Sequence, residues 1–218
     1  MVTGVPVPTL NNVFTARAGA SRSEVETLLR LVAKSGLPHA LQLRPGTDSR
    51  VKALSLARGM RAHPPIPLMA VEVSTKGILE APQAMLNIRL AGPDEAALHA
   101  SLLAAGFDVP QQLFDQLITT AVLALPGVRC YVGAVEGEPV ATALGFSNGE
   151  HVGIYNVATH PKHRGLGYGA AITASAVLDG FAAGVSFAYL QSSDAGYRVY
   201  QQLGFTQLES WAVWIASA

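Results

Sequence analysis

A glycine-rich turn between a strand-like run and a helix-like run restricts the possible folds of this chain more than any other feature. Residues 157–159 are extended in character, Pro161 ends the run, and three glycines follow at alternate positions within residues 165–169. Such glycines leave main-chain N–H groups uncovered, and the start of the next helix adds a partial positive charge. The pattern predicts a phosphate site with Arg164 at its mouth. The alternative is a helix-cap loop whose glycines serve only close packing.

The spacing of apolar residues from Leu86 onward predicts the element order β-α-α-β-β-β-α-β-α-β. Asn148-Gly149 is a strong hairpin signal, and Gly184 is a typical residue after the end of a helix. An antiparallel meander followed by a βαβ unit indicates an α+β fold with a mixed α/β sheet. The predicted strands are 87–90, 128–135, 140–146, 151–159, 186–190 and 211–215, and the predicted helices are 95–105, a segment between Pro110 and Pro126, 167–183 and 195–203.

The first part of the chain has predicted elements in the same α-β-α-β order as the end of the chain. The helices are 24–34 and 51–58, and the strands are 39–43 and 68–73. This agreement predicts a partial internal repeat, although two unrelated helix–strand pairs look alike at this level of detail. We place the boundary in the turn-rich stretch Ser74–Pro82 and expect a smaller α/β half-domain at 1–82 and a complete domain at 83–218.

The composition excludes several classes of protein. Half of the 218 residues are hydrophobic, which suits a packed core and not a disordered chain. Fifteen basic and fifteen acidic residues cancel, so no general basic field attracts nucleic acid or an anionic membrane. Cys130 is the single cysteine, and neither the N-terminal stretch nor any apolar run resembles a signal peptide or a membrane span. We expect a soluble cytoplasmic protein with no nucleic-acid or membrane partner.

Three other patterns point to different chemistry but lack the required context. The run 145–149 matches the G-x-S-x-G turn of α/β-hydrolases, yet its serine is expected between two strands and not before a helix. The run 165–170 also fits a dinucleotide-binding fingerprint, but residues 160–164 separate it from its strand. His160 and His163 have no cysteine or carboxylate beside them, so no metal is expected.

The glycine turn resembles a signature of one enzyme superfamily. Arg164-x-x-Gly167-x-Gly169 is similar to the R/Q-x-x-G-x-G/A motif with which GNAT N-acetyltransferases hold the pyrophosphate of acetyl-CoA. Val157-Ala158-Thr159-x-Pro161 and Tyr200-Gln201-Gln202-Leu203-Gly204-Phe205 resemble two further family segments, and the resemblance runs from about Asn87 to the end of the chain. It implies the GNAT fold, with a central, mostly antiparallel sheet and a βαβ unit that binds coenzyme A, preceded here by the smaller α/β half-domain.

The resemblance implies an N-acetyltransferase that uses acetyl-CoA as co-substrate and transfers the acetyl group to a primary amine by direct attack on the thioester, without a metal. The main chain of 157–159 would pair with the pantetheine arm and hold the oxyanion, and the amides of 164–170 would bind the pyrophosphate. Tyr200 would protonate the leaving thiolate or donate a hydrogen bond to it. The implied catalytic residues are Tyr200 and Thr159, and the implied cofactor-binding residues are Val157, Ala158, Thr159, Arg164, Gly165, Leu166, Gly167, Tyr168, Gly169, Ala170, Ser193 and Tyr200.

The chain also departs from the family pattern. Many members have asparagine where this chain has Ser193, and strand 151–159 carries no carboxylate to act as general base. Ser55 stands where Tyr200 does in the repeat, and no glycine loop precedes its helix, so the first half is expected to be noncatalytic. The alternative function is an inactive acyl-CoA sensor or scaffold. No pattern identifies the acceptor or an oligomeric state. The base candidates are Glu150, His151, Tyr155, Asn156 and His163.

Overall fold

A computed structural model describes residues 1–16, 19–74 and 85–217, which form two compact units. Unit 1 comprises Met1–Leu68 and Gln207–Ala218, and unit 2 comprises Met69–Thr206. The boundary predicted at Ser74–Pro82 lies, from residue 75 on, outside the described residues.

The helices and strands agree closely with the predicted order. The helices are α1 (Arg22–Ala33), α2 (Ser49–Ala57), α3 (Ala96–Phe107), α4 (Gln112–Asp115), α5 (Thr120–Leu123), α6 (Tyr168–Ala182) and α7 (Asp194–Gln202). The strands are β1 (Asn12–Thr15), β2 (His39–Leu43), β3 (Arg61–Glu72), β4 (Asn87–Ala91), β5 (Val128–Val135), β6 (Glu138–Ser147), β7 (His151–Thr159), β8 (Phe187–Gln191) and β9 (Thr206–Ala216).

Unit 1 is built on a parallel β1-α1-β2 arrangement. β1 pairs in parallel with β2, and β2 pairs antiparallel with β9. A capping box begins α1, because Ser21 accepts from the N–H of Glu24 while the Glu24 carboxylate accepts from the N–H of Ser21. The core of this unit contains Val25, Leu29 and Leu41. The order β1-α1-β2-α2-β3 repeats the order β7-α6-β8-α7-β9, and in both segments the two strands around the first helix are parallel.

Unit 2 contains the mixed sheet on which the candidate site lies. Its strands follow the order β3-β8-β7-β6-β5-β4. The pairs β4–β5, β5–β6 and β6–β7 are antiparallel, and β7–β8 is parallel. This arrangement confirms the predicted fold class, an antiparallel meander that continues into a βαβ unit.

Two helices pack on opposite faces of this sheet, because the adjacent β6 residues Ala143 and Leu144 belong to the α6 core and the α3 core respectively. Val152 of β7 belongs to the core shared with α6, and a Cβ added at Gly180 of that helix would lie 2.7 Å from Val152. Ala158 of the same strand belongs to the core shared with α3, and a Cβ added at Gly106 would lie 2.7 Å from its Cβ. Glycine therefore permits each helix to approach β7 closely.

The helix predicted between Pro110 and Pro126 is wrong in one respect, because the segment forms two short helices. α4 ends at Asp115, and α5 begins after Thr119, whose hydroxyl accepts from the N–H of Val122 at 3.3 Å. Threonine at that position caps a new helix more readily than it continues an old one. The apolar spacing is preserved across the break, which explains why periodicity alone predicts one helix.

His99 of α3 is fully buried and joins the helix to the sheet. Its Nδ1 lies 2.5 Å from the hydroxyl oxygen of Thr142, and that hydroxyl donates to the carbonyl of Tyr131 at 2.9 Å. Nδ1 is therefore the protonated nitrogen, and Nε2 is buried without a partner among the described residues. Burial lowers the pKa of His99 to about 4, so the imidazole is neutral at pH 7.

The free energy of unfolding is expected to fall by about 2 kcal/mol between pH 7 and pH 5. The folded chain binds no proton at His99 in this range, whereas the unfolded chain does, because the usual histidine pKa is about 6.5. The contribution is present above pH 6.5 and is lost as the pH falls toward 4. Urea unfolding at pH 7, 6 and 5 measures it, and His99→Gln should remove most of the slope. The exposed His63→Gln should keep the slope, and an unchanged slope in His99→Gln would contradict the prediction.

Candidate active site

β7 and β8 are paired at one end and separate at the other. Their ladder contains the three pairs His151–Phe187, Val152–Ala188 and Gly153–Tyr189, although β7 continues to Thr159 and β8 to Gln191. Beyond Gly153, β7 has no β8 partner in this ladder. An extended ligand can add there as a strand and bond to the exposed main chain.

A bulge turns β7 just where the strands separate. Asn156 has φ of 53°, in the left-handed region, and the β6–β7 register shifts between Thr142 and Leu144. After the bulge, Val157 packs against the α6 core and Ala158 against the α3 core. Bulges of this kind re-aim the main chain of a strand beside a site. Residues 157–159, predicted to hold a pantetheine arm, thus lie within the separated part of β7, after the bulge.

The loop after β7 presents consecutive N–H groups that bond to no protein acceptor. Gly165 and Gly167 have φ of 77° and 81°, which glycine adopts without strain. The N–H of Ala171, bonded to the carbonyl of Gly167 at 2.9 Å, begins the hydrogen bonding of α6. Within the described part of the chain, the six amides of residues 165–170 have no acceptor. Left-handed glycines followed by a helix N-terminus form an anion-binding concavity.

Arg164 lies at the entrance to this loop and is already partly engaged. Its Nη2 donates to the carbonyl of Gly106 at 2.5 Å, which ties the loop to the end of α3. Its own N–H donates to the carbonyl of Pro161 at 3.4 Å. The remaining guanidinium N–H groups are the ones through which Arg164 can contact an anion.

The other loop residues predicted to bind the cofactor would contact it through their main-chain N–H groups. Tyr168 and Ala170 belong to or pack against the α6 core, whereas the side chain of Leu166 is exposed. A Cβ added at Gly169 would lie 3.4 Å from the hydroxyl oxygen of Thr159. The start of α6 therefore lies against the end of β7, so the strand and the loop form one continuous surface.

Tyr200 and Ser193 lie on the helix that follows β8. Ser193 caps α7, because its hydroxyl oxygen accepts from the N–H of Gly196 at 3.3 Å, and its O–H remains able to donate. Tyr200 packs against the α6 core and against Phe205, with 5.9 Å between ring centroids. Burial raises the pKa of Tyr200 to about 12, so its phenol keeps its proton at neutral pH.

Comparison with known protein families decides the assignment. The model of the acetyltransferase (GNAT) family matches residues 96–205, just over half of the chain, and this range includes the loop, β7, β8 and α7. The chain belongs to the GNAT acetyltransferase family. Members of the family use acyl-CoA. The open edge of β7 and the anion-binding loop that directly follows it agree with that kind of ligand.

Solved GNAT structures share the fold over nearly the whole chain. A GCN5-related N-acetyltransferase from Kribbella flavida is 22% identical with a TM-score of 0.71, and the match covers 98% of this chain and 84% of that one. A second one, from Sphaerobacter thermophilus, is 17% identical with a TM-score of 0.70, covering 94% and 72%. A tandem GNAT protein from the clavulanic acid biosynthesis pathway is 18% identical with a TM-score of 0.61, covering 93% and 71%. No curated protein sequence matches significantly.

In the part of the chain that the structure describes, no group of three or more His, Cys, Asp or Glu side chains could hold a metal ion. No helix in the same residues is long and apolar enough to cross a membrane.

The base candidates of this GNAT domain lie in two places. His163 is in the loop before α6, with its ring centroid 6.4 Å from that of Tyr168. His151 and Tyr155 lie on β7, on the face opposite Val152. The ring of His151 stacks on Phe187 with 5.0 Å between centroids.

Glu150 and Asn156 have main-chain roles that the sequence does not reveal. The carbonyl of Glu150 accepts from the N–H of Ser186 at 2.9 Å, so this residue helps to align β7 and β8. Asn156 is the left-handed residue of the bulge. Asn156 is a polar residue that follows five extended residues, 151–155. This pattern could have indicated the bulge from the sequence, since asparagine tolerates a positive φ better than most residues.

Sequence reasoning missed three residues that shape the site. Gly106 receives Arg164 and lets α3 approach β7. Tyr189 donates to or accepts from the hydroxyl of Tyr155, with 2.9 Å between the oxygens. A Cβ added at Gly153 would lie 2.6 Å from the Tyr155 ring, so glycine is what allows that ring to lie across the strand. Alternating aromatic residues at 187 and 189 were the available signal.

Proposed function

We propose that this GNAT protein is an N-acetyltransferase that transfers the acetyl group of acetyl-CoA to a primary amine. The observation that carries the proposal is the run of six N–H groups at residues 165–170, directly after the separated part of β7. A diphosphate fits the N–H run and a pantetheine amide chain fits the strand edge, so the two halves of coenzyme A match two adjacent surfaces. The cytoplasm is the proposed location, supported by the free, buried Cys130.

The proposed reaction is direct attack of a neutral amine on the thioester carbonyl. A main-chain N–H of the bulged segment, proposed to be that of Thr159, holds the developing oxyanion. The C–N bond forms, the C–S bond breaks, and the thiolate departs toward Tyr200. Positioning of the two reactants supplies most of the rate enhancement.

Tyr200 is proposed to act as a hydrogen-bond donor to the departing thiolate. Burial raises the pKa of its phenol to about 12, whereas an ordinary thiol has a pKa of about 8.5. Complete proton transfer from the phenol to the thiolate is therefore unfavourable, but a hydrogen bond from a neutral donor to a sulfur anion in a dry site is strong. The thiolate then takes the proton that the amine releases, by way of water.

The first 82 residues are proposed to be a degenerate, noncatalytic GNAT-like half-domain. Support comes from the repeated strand and helix order and from the parallel pairing of β1 with β2. In this repeat, the position of Tyr200 is occupied by the buried Ser55, whose hydroxyl donates to the carbonyl of Lys52. One structural neighbour, from the clavulanic acid biosynthesis pathway, is itself described as a tandem GNAT protein.

Coenzyme A should stabilise the folded protein, and amines should then release its thiol from acetyl-CoA. At a hundred times its Kd, the ligand adds about 2.7 kcal/mol to the free energy of unfolding, which a thermal shift detects. Thiol release is followed with a panel of primary amines. No stabilisation by coenzyme A would refute the proposal, and stabilisation without thiol release from any amine would favour the inactive sensor instead.

A further inference from the structure

Four aromatic side chains form a half-exposed layer on β7 and β8, which begins at the paired end and reaches the residue before the bulge. They are His151, Tyr155, Phe187 and Tyr189, called here the aromatic platform. The ladder pairs His151 with Phe187 and Gly153 with Tyr189, so these side chains share one face. On the other face, Val152 and Ala188 are buried in the α6 core. The aromatic platform therefore lies on the opposite side of the sheet from α6.

The rings of the platform are held by contacts with one another. His151 stacks on Phe187 at 5.0 Å and lies 5.4 Å from Tyr189, and Tyr155 meets Tyr189 edge-on at 6.3 Å between centroids. The hydroxyl oxygens of Tyr155 and Tyr189 are 2.9 Å apart. Gly153, which pairs with Tyr189 and lies two residues before Tyr155 on β7, leaves the space that the Tyr155 ring occupies. The result is a fixed pair of phenol hydroxyls on an apolar surface.

The platform adjoins the place where the thioester of the proposed function would lie. Tyr155 is 40% exposed and directly precedes Asn156, the residue of the bulge. Val157 then begins the segment 157–159, which is proposed to hold the pantetheine arm. Phe146 of β6 pairs with Gly153 and is 39% exposed, so it extends the same apolar face. An acceptor amine bound on the platform therefore lies beside the start of the strand edge that is proposed to bind pantetheine.

The charge of the platform restricts which amines suit it. Among the described residues, no carboxylate forms a hydrogen bond or an ion pair with any of the four side chains, and Asn148 is the polar neighbour of His151. An apolar surface without an anion disfavours the ammonium form and lowers the pKa of a bound amine. The amine then binds as the neutral nucleophile, and a carboxylate base is not needed.

We propose that the aromatic platform is the acceptor site, and that it takes a primary amine on an aromatic carrier with no second positive charge. This inference rests on the proposed function. The carrier ring packs on the platform, and the paired hydroxyls of Tyr155 and Tyr189 accept a hydrogen bond from the amine N–H, which directs its lone pair at the thioester. One amine proton passes to water and then to the thiolate as the C–N bond forms and the C–S bond breaks.

The first test compares two amines that differ in carrier and charge. With saturating acetyl-CoA, kcat/KM for 2-phenylethylamine should exceed that for 1,5-diaminopentane by about tenfold or more, measured by thiol release. Tyr155→Ala should abolish this preference, and the exposed control Leu178→Ala should retain it. An equal or reversed preference in the wild type, or a preference that survives in Tyr155→Ala, would overturn the proposal.

The second test removes the hydroxyls and keeps the rings. Tyr155→Phe and Tyr189→Phe should each lower kcat/KM for 2-phenylethylamine by about three- to tenfold, because each breaks the same hydroxyl pair. The double variant should be little worse than either single variant, whereas independent effects would multiply. The Kd for acetyl-CoA should not change. Multiplying effects, or no effect at all, would refute the role of the pair.

Binding without turnover separates this inference from the proposed function. Calorimetry measures 2-phenylethylamine binding to the protein loaded with coenzyme A. If 2-phenylethylamine binds and Tyr155→Ala weakens this binding about tenfold or more, the platform is supported. If no amine then releases thiol, only the transfer function is refuted. Absence of binding, with thiol release from 1,5-diaminopentane, overturns the platform and leaves the transfer function intact. Absence of both amine binding and thiol release overturns the platform and the transfer function together.

Discussion

Tyr200→Phe is expected to lower kcat about a hundredfold while the Kd for acetyl-CoA changes by less than about twofold. The phenol is largely buried and neutral, so its hydrogen bond gains strength as charge develops on the sulfur. The uncharged thioester sulfur of the bound substrate accepts only weakly, so little binding energy is lost in the ground state. A loss confined to kcat is the mark of an interaction made in the transition state.

Tyr197→Phe is the matched control for this measurement. Tyr197 lies on the same helix, and its ring packs against the same α6 core, but it has no proposed contact with the thioester. Both variants remove one hydroxyl and keep the ring. Rapid-quench kinetics with 2-phenylethylamine and calorimetry with acetyl-CoA separate kcat from Kd. Equal kcat values for Tyr200→Phe, Tyr197→Phe and the wild type would remove Tyr200 from the mechanism.

The elements that local patterns define could be predicted to the residue. The strands predicted at 39–43, 128–135 and 151–159 coincide with β2, β5 and β7. Their short apolar runs and the turn residues that bound them are local in sequence, so no knowledge of packing is needed. The glycine loop is local in the same sense, because left-handed glycines at 165 and 167 leave their own N–H groups unbonded.

Elements that depend on pairing partners could not be predicted. β1 is four residues long and contains the buried polar side chains Asn12 and Thr15, so it shows no apolar alternation. β3 begins at Arg61, whereas the sequence predicts a strand only from residue 68. The prediction starts late because the three prolines of β3 count against a central strand. Tertiary pairing overrides both local signals.

The candidate site likewise has one part that local sequence patterns predict and another that depends on strand pairing. The residues that offer main chain, 157–159 and 165–170, follow from the motif, whereas the aromatic platform depends on the register of β7 against β8. A shift of one residue would turn His151 and Tyr155 to the α6 face. Register is a property of the sheet and not of either strand, so Tyr189 could be placed beside Tyr155 only by the structure.

Gly165→Val is expected to weaken acetyl-CoA binding about a hundredfold. A β-branched residue is strained at φ of 77°, so the loop must leave the left-handed conformation and the following N–H groups no longer converge. Loss of one or two hydrogen bonds to a charged diphosphate, at about 1.5–3 kcal/mol each, accounts for the effect. An added Cβ meets no atom within 4 Å at this position, so the change acts through the backbone and not through a clash. Calorimetry with acetyl-CoA measures it.

Gly184→Val separates loss of the anion site from loss of stability. Gly184 follows α6 with φ of 94°, and an added Cβ there also meets no atom within 4 Å. The two variants should therefore lose similar stability in urea, because both force valine into a left-handed position. Only Gly165→Val should lose affinity, since Gly184 lies at the other end of the helix from the loop. Equal affinity in both variants would show that the N–H groups of residues 165–170 do not hold the diphosphate.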